Sequence, residues 1–240
     1  MNYYDNANTA HPISAAREQG LCDFINAMPE PAHLKDPSSG KYLFSNQSNL
    51  GIYGLEHVDE IIGKTVQDLD VFMKVFWGVD FAKEVNALDQ GVFQNGVTMT
   101  DDHRVFLDCA GLVHIQNMVK TPIFTEKKKV AAILTLSFDL TQKTDLVSLF
   151  KIYKRVYTKK SVAMTTFVKH IQLDHIFKEP LTEKEILCLL YLKRNRGYKN
   201  IAAQLNVGLK TVETHMSHII QKAGQHTMSD ILVLLLEGKS

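Results

Sequence analysis

The chain is poor in cysteine: Cys22, Cys109 and Cys188 are widely spaced, odd in number and form no CxxC pair. This argues against a disulfide framework and a cysteine-rich zinc site, and suits a reducing cytosol. No stretch approaches the ~18 uninterrupted apolar residues of a membrane-spanning helix. The opening MNYYDNANTAHP lacks the charged start and apolar block of a signal peptide. A soluble, cytoplasmic protein is therefore expected. Catalytic signatures are missing too: there is no Ser–His–Asp arrangement, phosphate-cradling glycine loop or paired-carboxylate motif, so no enzymatic activity is expected. His57, His103 and His114 show no paired ligand spacing, so no metal is expected either.

What is present is enough apolar sequence, 45% of 240 residues, for one large domain or two ordinary ones. Its charge is divided unevenly. Residues 1–140 hold 11 Lys/Arg against 18 Asp/Glu, whereas residues 141–240 hold 16 against 8. A basic C-terminal part suits a polyanion, because Lys and Arg release counterions from phosphates. Mutual attraction between two oppositely charged domains is the competing explanation.

Residues 1–20 are polar and read as an arm or lead-in helix. From 21 to 141 turn clusters such as DPSSGK (36–41) separate short apolar runs, and GVTMTDDHRV (96–105) reads as an exposed loop. Two stretches then alternate with the period of a strand. In LVHIQNMVK (112–120) Val113, Ile115, Asn117 and Val119 share a face; in VAAILTLSFDL (130–140) Ala132, Leu134, Leu136 and Phe138 do. The charged TEKKK link makes them a hairpin. Beyond Asp139 the period becomes helical: residues 144–157 carry Leu146, Leu149, Phe150, Tyr153, Val156 and Tyr157 at three-and-four spacing. A second amphipathic piece lies around 161–177. Residues 142–180 thus form a helical connector.

The last sixty residues read as four helices. Thr182 and Glu185 in LTEKE can cap each other's amides, which starts the first. Asn195 and Gly197, both tolerant of a left-handed backbone, end it. A short helix from Lys199 to Leu205, an Asn206-Val207-Gly208 turn and a longer helix follow, then a fourth from Ser229 to Glu237. In the third, Val212, Met216, Ile219, Ile220 and Ala223 make one buried stripe. Its other side carries Thr211, Glu213, Thr214, His215, Ser217 and His218. Two helices joined by a short glycine turn, the second with an outward polar face, describe a helix-turn-helix. Its second helix fits the major groove of double-stranded DNA.

LTEKE-x2-CL…KNIAAQLNVGLKTVETHMSHIIQKAG resembles, without a gap, the DNA-binding domain of LuxR/NarL-type bacterial transcription regulators. Leu181, Thr182, Glu185, Cys188, Leu189, Lys199, Ile201, Ala202, Leu205, Thr211, Val212, His215, Ile219 and Lys222 fall on matching positions. Asn195 stands where the family has Gly, Gly208 replaces its capping Ser, Glu213 stands where Lys is common, and His218 replaces Asn. The resemblance implies a homodimer on DNA, joined through the fourth helix, where Leu234 and Leu235 offer a seam. It also implies a phosphate contact at Lys222, to which Lys199 and Lys210 add two outward point charges. Thr211, Glu213, Thr214 and Ser217, with His218 beside them, lie on the face that would read bases.

The N-terminal part resembles a PAS sensor domain: DPSSGKYLFSN (36–46) its opening strand, IIGKT (61–65) the following turn, KTPIF…VAAILTLSFDLT its closing hairpin. Such domains are antiparallel sheets with helices that often hold a small molecule. On strand parity, Cys109, Val113, Ile115, Asn117 and Leu134 would line its pocket. No cofactor is identified. The competing N-terminal domain, one that binds an acyl-homoserine lactone as in quorum sensing, has a set of Trp, Tyr and Asp positions that Trp77 and Tyr53 do not reproduce. The expected class is α+β: a PAS-like domain over 21–141, the connector, and a four-helix helix-turn-helix domain over 181–240.

Overall fold

The computed structural model describes residues 15–73, 81–194 and 197–237. Trp77, Asn195 and most of the expected N-terminal arm lie outside them. The chain divides into two compact units, Met1–Ala110 with His114–Asp139, and Gly111–Val113 with Leu140–Ser240. The connector thus shares a unit with the C-terminal helices.

The first unit is built on five strands, β1 (Ala32–Lys35), β2 (Tyr42–Ser45), β3 (Met99–Leu107), β4 (Val113–Phe124) and β5 (Val130–Asp139). They lie in the order β2-β1-β5-β4-β3, with β1–β2, β1–β5 and β4–β5 antiparallel. This is a PAS-like sheet. The hairpin expected around TEKKK is present, pairing Val119 with Leu136 and Thr121 with Leu134. GVTMTDDHRV is different from the expected loop, because β3 runs through most of it. Its polar Asp-Asp-His sequence belongs to the more open first half of an edge strand whose second half is buried, and His103 breaks the regular geometry with a φ of 57°.

Both faces of the sheet are covered, and this decides where the cavity lies. Helix α1 (Ala15–Asn26) packs Ile25 against Ala32, Leu34, Ala132 and Leu134 on one face. On the other side α2 (Gln47–Tyr53), α3 (Val66–Met73) and α4 (Phe81–Asn95) gather a second apolar cluster around Tyr42, Leu50, Ile61 and Val85. Asn46 ties the first helix to the sheet. Its Oδ1 accepts from the Ala32 and Asn49 amides, and its Nδ2 donates to the carbonyls of Ile25, Met28 and Glu30. Buried polar groups need such partners, which explains an Asn at the end of the opening motif.

In the second unit α5 (Leu146–Val156) and α6 (Lys160–His170) pack together through Phe150, Tyr153 and Phe167. The Tyr153 hydroxyl accepts from the Val113 amide at 2.9 Å and lies 2.8 Å from His170 Nδ1. Four helices follow: α7 (Glu183–Lys193), α8 (Tyr198–Leu205), α9 (Leu209–Ala223) and α10 (Met228–Glu237). Lys154 bonds Glu183 and Arg194 bonds Asp145, fastening α5 to α7 at both ends. Among the described residues no helix is long and apolar enough to cross a membrane.

Candidate nucleic-acid interface and inner cavity

The reciprocal cap that opens α7 is present. Glu185 N donates to Thr182 Oγ1 at 3.4 Å, and Thr182 N donates to Glu185 Oε2 at 2.7 Å. The α8–α9 turn depends on Asn206, left-handed at φ 52°, and on Gly208, which starts α9 without a side-chain cap. Gly197 differs from expectation. It has φ −62° and caps the start of α8 instead of closing α7 in a left-handed turn.

Val212, Met216, Ile219 and Ala223 bury one side of α9 against α7 and α8, as their spacing requires. Ile220 leaves the expected stripe; it is 41% exposed. Lys199, Lys210, Thr211, Glu213, Thr214, Ser217 and His218 are exposed, and His215 is half-buried. Thr214 Oγ1 donates to the Lys210 carbonyl at 2.9 Å and Ser217 Oγ to the Glu213 carbonyl at 3.1 Å. These hydroxyls spend their hydrogens on the preceding turn and turn lone pairs outward. With the Glu213 carboxylate they make a row of acceptors.

Lys222 stands apart from the other cations. Its ammonium donates to Glu185 Oε2 at 2.7 Å and to the Pro180 carbonyl at 2.9 Å, inside the domain. Burial pushes the Glu185 carboxyl up, but the Lys222 ammonium and the Thr182 amide outweigh it and hold it below the usual range. His218 Nδ1 lies 3.7 Å from the same carboxylate. Of the expected seam on α10, Leu235 is 2% exposed and belongs to the core and Leu234 is half-buried, whereas Val233 and Leu236 beside them face outward at 47% and 63%.

Residues 179–236 match a family described as bacterial regulatory proteins of the luxR family. This is a LuxR-type DNA-binding domain. No curated protein sequence matches the chain. Similar solved structures include a phage VqmA–DPO complex, 22% identical over 92% of this chain and 89% of that one at a TM-score of 0.48. Another is a Vibrio cholerae VqmA–ligand–DNA complex, 19% identical over 92% and 88% at 0.46. The PAS domain of Bordetella pertussis BvgS is 17% identical over 59% and 99% at 0.47.

Upstream of the LuxR-type domain, the PAS-like unit holds a cavity on the sheet face that α2–α4 cover. An inner space of about 30 Å³ is lined by residues that include His33, Tyr42, Arg104, Gln116, Lys120 and Ser137. It adjoins an open vestibule of about 520 Å³ with Glu30, Asp108, His114 and Asp139 in its wall. None of Cys109, Val113, Ile115, Asn117 or Leu134 lines either space. Parity alone selects the apolar side of β4, but that side faces away from α2–α4, and the cavity takes the other side, Gln116, Met118 and Lys120.

That polar side contains charges that sequence reading missed. Lys35 and Lys120 are fully buried, and both bind Asp89, at 3.0 and 2.5 Å. Burial, with help from Lys35, lowers the Lys120 ammonium to about 8. In the vestibule, burial would lower the His114 imidazole, but Asp108 and Asp139, at 3.0 and 3.4 Å, raise it to about 9. The available signal was a Lys at an alternating strand position, which reads equally well as an exposed face.

Proposed function

We propose that the chain is a dimeric, signal-responsive transcription regulator that binds operator DNA through α9. The observation that carries this reading is the exposed polar face of α9 on a helix-turn-helix whose residues match the LuxR family. In the major groove Thr211, Glu213, Thr214 and Ser217 meet base edges, with His218 at their flank. Their outward acceptors favour the amino groups of cytosine and adenine. Lys199 and Lys210 contact phosphates, which orient the domain without carrying sequence information. Lys222 instead braces the domain through Glu185. Dimerisation uses the outward face of α10, Val233 and Leu236. The PAS-like unit receives the signal in its charged cavity, and the protein acts in the cytoplasm without catalysis.

The test is selection of genomic fragments by the full chain, followed by affinity measurements on the selected duplex and a scrambled one across a salt series. A selected sequence bound at least a hundredfold more tightly supports the reading. Equal affinity for both duplexes refutes it.

A further inference from the structure

The positive charge of the C-terminal part does not lie mainly in the DNA-binding domain. Residues 141–180 hold 8 Lys/Arg against 3 Asp/Glu, whereas residues 181–240 hold 8 against 5. It is densest where α5 turns into α6: residues 151–160 contain five Lys/Arg and no carboxylate. Lys151, Arg155, Lys159 and Lys160 are exposed there, and Lys154 binds Glu183 at the start of α7. That bond, with Lys160 and Lys184 close by, holds the Glu183 carboxyl below its usual range. One carboxylate thus stands among three ammoniums. Crowded like charges repel one another, and a polyanion laid across them relieves the repulsion.

Two links place this face at the C-terminal half of α9. Two residues after Glu183, Glu185 binds Lys222 at 2.7 Å and has His218 Nδ1 at 3.7 Å. The segment leading into α7 makes the other link, because the Lys178 amide donates to the Lys222 carbonyl at 2.9 Å. Residues 177–181 of that segment line a groove of about 240 Å³ together with Met164, Thr165 and Val168 of α6. Glu183 and Glu185 point to different sides of α7, so the cations beyond Glu183 stand roughly one helix width, about 10–12 Å, from His218. Along a duplex that is about three phosphates of one strand. Lys210 and Lys222 are the only Lys or Arg in α9, and Lys222 is turned into the domain. The C-terminal end of α9 therefore needs its backbone cations from elsewhere.

From this arrangement, and resting on the operator reading above, we infer that the α5–α6 turn is a second DNA-binding surface, where Arg155, Lys159 and Lys160 bind backbone phosphates beyond the base pairs that α9 reads. Such contacts add affinity and fix the position of the domain without reading sequence. A second copy of this chain does not suit the face, because it would set like charge against like. An acidic protein would match the charge, but the duplex that α9 enters is the polyanion nearest to it.

The test uses the full chain and the duplex it selects from genomic fragments, with a further helical turn of DNA on each side. Duplexes with one phosphate at a time replaced by an uncharged methylphosphonate are titrated against wild type and Lys159→Gln/Lys160→Gln. The double variant should bind the unmodified duplex roughly tenfold more weakly, with the slope of log affinity against log salt lowered by about two. Its preference for the selected over a scrambled duplex should not change. At a few phosphates next to the selected base pairs, but not within them, neutralisation should weaken wild type severalfold and leave the variant unaffected. Lys127→Gln/Lys129→Gln, which removes the same charge from the exposed β4–β5 turn, should bind as wild type does. Helical circular dichroism checks that both variants are folded. Wild-type affinity in Lys159→Gln/Lys160→Gln overturns the inference and leaves the face to an acidic protein. Equal sensitivity of variant and wild type to every neutralised phosphate, or an equal loss in the β4–β5 control, also defeats it. A chain that selects a sequence but fails these tests keeps the operator reading and loses this one. A chain that selects none, yet binds long scrambled DNA more weakly once Lys159 and Lys160 are replaced, loses the operator reading and keeps the cationic face.

Discussion

Lys222, one turn from the end of α9, is bound to the buried carboxylate of Glu185 near the start of α7. The pair clamps the helix that would enter DNA to the helix behind it, and it withdraws from the interface a cation that family position assigns to phosphate.

Lys222→Ala should therefore act on stability. Removing it leaves a buried carboxylate with only the Thr182 amide and a distant His218, at a cost of roughly 2–3 kcal/mol after allowing for partial exposure of the lysine. Denaturant unfolding of the full chain, followed by helical circular dichroism, measures this. The Glu185 pKa is depressed in the folded state, so its contribution is present above its unfolded value of about 4.3 and is lost as pH falls through the folded one. The difference between wild type and Lys222→Ala should shrink on the acid side of pH 4 and stay constant from pH 6 to 8, as tested by unfolding at each pH.

Lys210→Ala and Glu213→Ala should separate affinity from sequence preference. The lysine is exposed, so its loss should weaken binding to every duplex alike and lower the slope of log affinity against log salt by about one. Loss of Glu213 should relax preference at one base pair by roughly 1–3 kcal/mol. It should also tighten binding to scrambled DNA. Titrations of both variants on selected and scrambled duplexes decide the matter.

Leu236→Asp and Leu235→Asp, neighbours on α10, should behave oppositely. The first places a charge on an outward face, and should convert a dimer to a monomer in sedimentation while leaving the helical signal intact. The second buries an unpaired carboxylate in the core and should unfold the C-terminal domain. A dimer unaffected by Leu236→Asp would remove α10 as the seam.

Asn46→Ala should destabilise the PAS-like unit by roughly 3–5 kcal/mol. Two amides and three carbonyls lose their partner at a buried site, and the alanine methyl replaces none of those bonds. Asn46→Asp should be similarly harmful, since a carboxylate cannot donate to the carbonyls of Ile25, Met28 and Glu30. Thermal unfolding read by near-ultraviolet dichroism measures both.

The sequence alone determined the C-terminal domain almost completely. Helix periodicity, the Thr182–Glu185 cap and the Asn206–Gly208 turn are local signals, set within a few residues and little altered by distant contacts. It also determined the closing hairpin, because the alternation of β4 and β5 and the charged link between them are local too. Tertiary structure decided the rest. An alternating strand tells its two faces apart by polarity, but polarity does not say which face a neighbour covers: in β4 the side of Gln116, Met118 and Lys120 is buried and that of Asn117 and Val119 only half-buried, so the pattern gave no indication that Lys120 points inward toward Asp89. Lys222 likewise looks like a surface cation until α7 brings Glu185 beside it. Leu235 and Leu236 are both leucines on one helix, and only the packing of α10 decides which is core and which is free to meet a partner.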